Sequence, residues 1–280
     1  ARLDIEVSKT WLMPDPTPVD QLTQYYSDLD IDPEMRLYCF LEGLMVGFLT
    51  IQMLEERKDG TLQAKLDFPV VLPNHEEVTD LLYEKAVEIL RRKKVRTILS
   101  SFGLWGRSKE WAEKWDYRRI NEIGVLYGIE VASMNLMDET ENITSFDPAT
   151  DLDDCVNIFV TEYNLPEEDV KNFTNKLFTN ELTLGYYVLR EKGEIVATGA
   201  IRRNPNVPTL AMLSAVYDKG VNYLQLLLSK LIGVAKKEGI ERVLMFFTHL
   251  CPDDPIIDKY RELGFTYLGS NVNYAKEIQS

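Results

Sequence analysis

The feature that most constrains this chain is that one pattern occurs in it twice. Gly43-Leu-Met-Val-Gly47 recurs as Gly193-Glu-Ile-Val-Ala197, 150 residues later. Val95-Arg-Thr-Ile-Leu99 recurs as Ile240-Glu-Arg-Val-Leu244, 145 later, and Glu113-Lys-Trp-Asp-Tyr117 as Arg261-Glu-Leu-Gly-Phe265, 148 later. Each match is weak alone, but a shared order at a near-common offset is the mark of an internal duplication. The 280 residues then divide into two domains of about 140 each, an ordinary domain size. The polar stretch from Asp138 to Ile143 places the boundary, giving domains 1–137 and 138–280.

Periodicity orders the elements of each copy. In the first, a strand is predicted over Leu3 to Val7 and a helix over Val19 to Leu29. Strands follow over Arg36 to Leu41 and Leu44 to Met53, around a Glu42-Gly43 turn. Thr61 to Leu72 alternates as a single strand, and Val78, Leu82, Ala86 and Ile89 have helical spacing. A buried strand (Val95 to Phe102), a short helix (Ser108 to Trp115) and an extended segment (Arg119 to Ala132) complete the copy. The second copy has helices over Asp151 to Tyr163 and Glu167 to Thr179, then a hairpin around Lys192-Gly193. A strand from Thr209 to Val216 leads to a helix whose Val221, Leu224, Leu228, Leu231 and Ala235 are spaced 3, 4, 3 and 4 apart. A strand (Ile240 to Phe247) and a short helix ending in Tyr260-Arg-Glu-Leu-Gly-Phe265 close it.

Composition narrows the function classes. A net charge of −14, with no basic stripe interleaved with aromatics, disfavours nucleic acid and anionic membranes and suits a cationic substrate such as an amine. No apolar run approaches the roughly 20 residues that span a bilayer, and no signal-peptide core is seen. Cys39, Cys155 and Cys251 read as reduced structural thiols of a cytoplasmic protein, and His75 and His249 are too few for a histidine metal cluster, so no metal is expected.

The richest stretch for chemistry runs from Leu213 to Phe265. A strand (Leu213-Ser-Ala-Val216) enters a helix through a glycine-bearing turn, where free N–H groups and the helix dipole converge on one spot suited to phosphate. The element order β-α-α-β-β-β-α-β-α-β, with the Gly193-Glu-Ile-Val-Ala197 hairpin and the Tyr260-Arg-Glu-Leu-Gly-Phe265 ending, resembles the GNAT superfamily of acetyltransferases. The resemblance is clear over about residues 144–278 and fainter over about 2–134. It implies an α/β (α+β) fold of two tandem GNAT-like domains, each a mixed, mainly antiparallel twisted sheet flanked by helices.

The same resemblance implies acetyl transfer from acetyl-CoA to a primary amine of a small molecule or peptide, by direct attack in a ternary complex. Leu213, Ser214, Ala215 and Val216 would hold the pantetheine arm like an added strand. Lys219, Gly220, Val221, Asn222 and Tyr223 would wrap the pyrophosphate, with only one glycine where the family pattern has more. Tyr260 stands where the family carries the acid for the departing thiolate; equally, it is a half-buried helix tyrosine. Asp253 and Asp254 stand where the family often has asparagine, and also read as caps of the helix entered through Pro255. His249 is the base candidate that titrates near neutrality, with Glu162 and Asp218 behind it. Cys251 reads as a small thiol. The first copy has acids in Pro73-Asn-His-Glu-Glu-Val-Thr-Asp80 and Ala112 at the tyrosine position, and reads as a degenerate domain that is structural or walls the substrate groove. The alternative is a non-catalytic protein of this fold acting as an acyl-CoA sensor or partner-binding scaffold. A homodimer is compatible with either.

Overall fold

The computed structural model describes residues 2–9, 11–12, 23, 27, 32–102, 104, 107–137, 142–248, 250 and 252–278. It forms two compact units. Unit 1 comprises 1–125, 248–250 and 269–280; unit 2 comprises 126–247 and 251–268. No helix among the described residues is long and apolar enough to cross a membrane.

Unit 1 opens with helix α1 (Arg2–Ser8), which corrects the expectation of a strand over Leu3 to Val7. Leu3 and Val7 are four residues apart, so a helix sends both to one face, and both are buried in a cluster with Val70. The helix expected over 19–29 lies outside the described residues, apart from 23 and 27. Strands β1 (Arg36–Leu41) and β2 (Leu44–Met53) form a hairpin. The single strand expected from Thr61 to Leu72 is two: β3 (Gln63–Leu66) and β4 (Val70–Val71), both antiparallel to β2. Pro69 lies between them and has no N–H to offer a ladder. Helix α2 (Glu77–Arg92) buries Val78, Leu82, Ala86, Ile89 and Leu90. It packs so closely on β2 that a Cβ at Gly47 would lie 2.9 Å from Val78 Cγ1. Strand β5 (Thr97–Phe102) runs parallel to β3; helix α3 (Ser108–Lys114) follows, and strand β6 (Arg118–Glu130) starts in unit 1 and ends in unit 2.

In unit 2, strand β7 (Ile143–Ser145) precedes helices α4 (Pro148–Tyr163) and α5 (Glu167–Thr179). Strands β8 (Thr183–Glu191), β9 (Glu194–Arg203) and β10 (Leu210–Asp218) form an antiparallel meander, and β7 adds antiparallel to β8. Helix α6 (Val221–Lys237) crosses over to β11 (Arg242–Thr248), parallel to β10. Helix α7 (Pro255–Glu262) leads to β12 (Thr266–Glu277). β12 begins in unit 2, but its Val272–Glu277 stretch pairs antiparallel with β5, and Val272, Tyr274 and Ile278 join the unit 1 core. The units therefore interleave along the sequence, whereas the 137/138 division expected above is a single linear cut.

The duplication is visible in the backbone at the residues the sequence pairs. Glu42 and Gly43 (φ 50° and 81°) match Lys192 and Gly193 (φ 53° and 87°), two left-handed residues in each hairpin turn. The α2 end, with Val95 N–H on Leu90 O (3.0 Å) and Lys94 at φ 60°, matches the α6 end, with Ile240 N–H on Ala235 O (3.0 Å) and Gly239 at φ 73°. The α7 end closes by Phe265 N–H on Tyr260 O (3.0 Å) and Gly264 N–H on Arg261 O (2.9 Å). The α3 end repeats this with Tyr117 on Ala112 and Asp116 on Glu113. All four helix ends have the Schellman pattern, which needs one left-handed residue.

Asp151 secures the entry to α4. Its carboxylate accepts from Asp147 N–H (2.8 Å) and Arg190 Nη2 (2.9 Å), while Asp147 caps the helix through Ala149 N–H (2.9 Å). Burial pushes the Asp151 carboxyl up, but its hydrogen bonds to Asp147, Arg190 and Thr150 outweigh that and hold it below the usual value of 3.8.

Two predictions follow from these local structures. Gly264→Ala should cost about 1–2 kcal/mol in denaturant unfolding, because φ is +96° while the added Cβ meets only Ile129 Cδ1 at 3.5 Å; Asp116→Gly should be neutral or stabilising by up to about 1 kcal/mol. An unchanged Gly264→Ala protein would refute the Schellman assignment. Asp151→Asn should cost about 1–3 kcal/mol at neutral pH. Because the folded carboxyl is depressed, its contribution is present above the unfolded value and lost as pH falls through the folded one. The acid limb of a stability–pH curve should therefore be shallower in Asp151→Asn than in the parent.

Candidate functional site

The site in unit 2 begins with a pairing that stops early. β10 and β11 pair in parallel only at Leu210↔Arg242, Ala211↔Val243 and Met212↔Leu244, yet β10 runs on to Asp218 and β11 to Thr248. On its other edge β10 is bulged: Ser214 pairs with Ala200 and Tyr217 with Thr198, so Ala215 and Val216 together oppose Gly199. Ala215 sits at φ 52°, a left-handed conformation that costs an alanine about 1–2 kcal/mol. Packing holds it there, since Ala215 and Tyr217 lie against Val156, Phe159 and Val170 of α4 and α5. The result is a strand edge from Leu213 to Asp218 with no ladder partner on its β11 side among the described residues.

The edge leads into the N-terminus of α6. Lys219 N–H donates to Val196 O (2.9 Å), and Gly220 O accepts from Tyr223 and Leu224 N–H (3.0 and 3.1 Å). No side chain caps the helix, so its first N–H groups are left for water or a ligand. Gly220 has extended backbone (φ 174°), and a Cβ there would come no closer than 3.9 Å to any neighbour, so the fold itself does not call for glycine.

Across the edge, Tyr260 of α7 is buried, with its ring edge-on to Phe247 (4.7 Å) and Phe265 (5.6 Å). Its hydroxyl makes no hydrogen bond among the described residues. Burial, and then the nearby Asp218 and Tyr163, push its ionisation well above the ordinary tyrosine value, so it remains a protonated phenol at neutral pH. Asp218 itself is 10% exposed and paired with Lys259 Nζ at 3.0 Å. The site thus joins an open strand edge, an uncapped helix N-terminus and a protonated phenol.

No protein-family model matches the sequence, and no curated protein does. Solved structures do match. A tandem GNAT protein from the clavulanic acid biosynthesis pathway is 14% identical, with 100% of this chain and 94% of that one covered at a TM-score of 0.62. A GCN5-related N-acetyltransferase from Sphaerobacter thermophilus is 17% identical, with 100% and 92% covered at 0.58. A GNAT-family acetyltransferase from Colwellia psychrerythraea is 13% identical, with 99% and 95% covered at 0.65. The fold is the GNAT fold. At these identities the likeness is one of fold over the whole length.

Within that GNAT fold, the cofactor candidates lie along one path. Leu213 and Val216 are buried, Ser214 and Ala215 are half-buried at the bulge, and Lys219, Gly220, Val221, Asn222 and Tyr223 form the turn and first helical residues. Lys219 pairs with Glu194 (3.0 Å), which raises its ammonium above the ordinary value, and the Tyr223 hydroxyl donates to Glu191, which raises the phenol likewise. Asp253 is exposed; Asp254 is the cap, accepting from Ile256 N–H at 2.9 Å. Of the base candidates, Glu162 is exposed near the end of α4, where its charge adds to the burial that raises Tyr163 and Tyr217 and to the Glu194 hydrogen bond that raises Lys219. His249 and Cys251 lie outside the described residues. Sequence reasoning missed the bulge, the Asp218–Lys259 pair and the two hairpin acids. The only available signals were the run of acids flanking Lys192-Gly193 and a lysine beside Tyr260.

The equivalent place in unit 1 is built differently. β3 and β5 also pair for three residues, ending at Lys65↔Leu99, but Ser100 Oγ then donates to Leu66 O (2.5 Å), tying the strands at the next register position. At the α2 N-terminus, Glu76, Glu77 and Asp80 line an open pocket of about 360 Å³ with Arg107, Glu110, Trp111 and Lys114. Asp80 accepts from Lys114 Nζ and Trp115 Nε1. His75 lies 3.8 Å from Glu77.

Removing the partner of the mostly buried Asp218 tests the site's charge balance. Lys259→Met should cost about 1–2 kcal/mol in unfolding free energy, between the values for surface and buried pairs, and Asp218→Asn added to it should recover most of the loss. An additive double variant would show that the pair is not coupled.

Proposed function

We propose that the second copy moves an acetyl group from acetyl-CoA to a primary amine by direct attack in a ternary complex. The observation that carries this reading is the β10 edge from Leu213 to Asp218, which among the described residues has no ladder partner on its β11 side, ends at an uncapped helix N-terminus and lies beside the Tyr260 hydroxyl, itself without a hydrogen bond among those residues. An edge of this kind offers backbone N–H and C=O groups at strand spacing, which suits an amide-bearing chain laid alongside as an extra strand. No neighbour crowds the Cα of Gly220, where an added Cβ would come no closer than 3.9 Å to another residue, and the uncapped α6 N-terminus suits an anion, which supports the residues present as fitting the donor. Acetyl-CoA supplies a thioester, whose C–S bond is exchanged for a C–N bond to the amine.

The chain's residues take the remaining roles. Tyr260, protonated and without a hydrogen bond among the described residues, donates its proton to the departing sulfur and regains one from the attacking nitrogen, which sheds its second proton as the amide forms. Glu162, or His249, takes the proton that the ammonium must lose before its nitrogen can attack. The exposed acid Glu162 favours a cationic acceptor near the edge. The first copy serves as a structural domain or substrate wall, and a cytoplasmic setting accords with the free thiols of Cys39 and Cys155. The alternative reading is a non-catalytic acyl-CoA sensor, which needs the same donor binding without the transfer.

Thermal unfolding with acetyl-CoA tests both readings. Ligand at 100 times its dissociation constant should stabilise by about 2.7 kcal/mol. No shift at millimolar ligand would refute donor binding and both readings with it. Gly220→Asp should abolish the shift without altering the melting of the free protein, because its backbone and space suit any residue. Tyr260→Phe should leave binding intact and lower acetyl transfer at least about tenfold; unchanged transfer would leave Tyr260 only its role in the helix end.

A further inference from the structure

The proposed donor site has an internal feature that its fold does not require. The β8–β9 hairpin ends in the two-residue turn Lys192-Gly193, flanked by Glu191 and Glu194, which face each other as the last pair of the ladder. Both acids reach the entry of α6, Glu194 at the loop ahead of it and Glu191 at its first turn. Glu194 Oε2 lies 3.0 Å from Lys219 Nζ, and Glu191 accepts the hydroxyl proton of Tyr223. Neither acid belongs to a core cluster, and the Glu194 and Lys219 side chains are 76% and 42% exposed. The turn geometry comes from Lys192 and Gly193, so packing and turn chemistry give no reason for acids here.

The two groups they engage are those an anion at the α6 N-terminus would use. Lys219 is the only cation in the loop from Tyr217 to Tyr223, and Tyr223 carries the hydroxyl in the first turn of α6. The other charges nearby do not replace them. Lys192 is exposed at the hairpin tip, Arg190 is held by Asp151, Asp154 and the Gly193 carbonyl, and Lys259 is held by Asp218. A phosphate approaching this loop therefore meets its cation and its hydroxyl already satisfied by carboxylates. Exposed pairs of this kind are weak and exchangeable.

We propose that Glu191 and Glu194 are specificity-determining residues of the donor site. They act as internal anions on Tyr223 and Lys219, and a phosphate-bearing donor binds by displacing them. The inference rests on the proposed acyl-donor reading. Binding then exchanges one anion for another at Lys219 instead of neutralising a free cation, so it is weaker and less salt-sensitive than an unguarded loop would give. A donor without phosphate does not compete with the two acids and is indifferent to them.

Calorimetric titration of the full chain and of the Glu191→Gln/Glu194→Gln double variant, with acetyl-CoA and with neutral acetyl-pantetheine, tests this at two salt concentrations. The double variant should bind acetyl-CoA about tenfold more tightly at low salt, with the gain shrinking as salt rises. Its affinity for acetyl-pantetheine should not change. Acetyl-CoA binding that is unchanged or weaker in the double variant overturns the proposal, as does an equal gain for both thioesters. If acetyl-CoA binds neither protein, the donor-site reading falls as well; if it binds both equally, only the inference about the two acids falls. Glutamine keeps the length and hydrogen-bonding capacity of glutamate, and matched melting curves confirm that folding is preserved.

Discussion

The structure of unit 2 depends on how few residues of β10 are allowed to pair with β11. Three parallel pairs fix the strands together, and beyond Met212 and Leu244 both continue without one another. The bulge at Ala215 is part of the same arrangement: one extra residue on β10 increases local twist and bends the strand. The left-handed alanine is a local cost borne by the burial of Tyr217 against Val156, Phe159 and Val170. Such strain persists only where surrounding structure over-determines it, and here the α4–α5 layer does so.

The neighbouring features follow from that opening. Because β10 ends at Asp218 beside α7, the Asp218–Lys259 pair and Tyr260 come together at the rim of the edge. Because Lys219 N–H still pairs with Val196 O, the loop ahead of α6 is held against β9, and the hairpin tip with Glu191 and Glu194 falls within reach of it. Tyr260 combines two roles. Its backbone carbonyl closes the helix end against Phe265 and its ring packs there, while its hydroxyl makes no hydrogen bond among the described residues. The Tyr-x-x-x-Gly-Phe pattern is thus accounted for by helix-end chemistry, and the role proposed for Tyr260 in transfer concerns only the oxygen.

Comparison of the two copies shows which elements the architecture needs and which are specific to one copy. Hairpin turns and helix ends match pair by pair, with Asp116 standing in for Gly264 and Lys94 for Gly239. The three-residue parallel pairing matches as well. The copies part at the opening itself. In unit 1 the hydroxyl of Ser100 ties the strands through Leu66 O, and acids crowd the α2 N-terminus. Unit 1 retains the scaffold without the open edge.

The sequence by itself determined the elements whose causes are local. Hairpin turns were legible in Glu42-Gly43 and Lys192-Gly193, the helix faces in spacings of three and four, and the duplication in motifs that turn out to be turns and helix ends. Local reading failed where one period fits two structures or where one residue interrupts a pattern: Leu3 and Val7 lie on one face of a helix, and Pro69 divides an apparently continuous strand. The path from Leu213 to Tyr223 was legible because strand, turn and helix follow one another along the chain. Only the tertiary structure decided the rest. The bulge at Ala215 depends on packing from α4 and α5, the Asp218–Lys259 pair joins residues 41 apart, and the hairpin acids meet the loop across 25 and 32 residues. The pairing of Val272–Glu277 with β5 spans still more of the chain. Such contacts are selected by which surfaces meet when the sheets assemble, and no local preference in the chain encodes them.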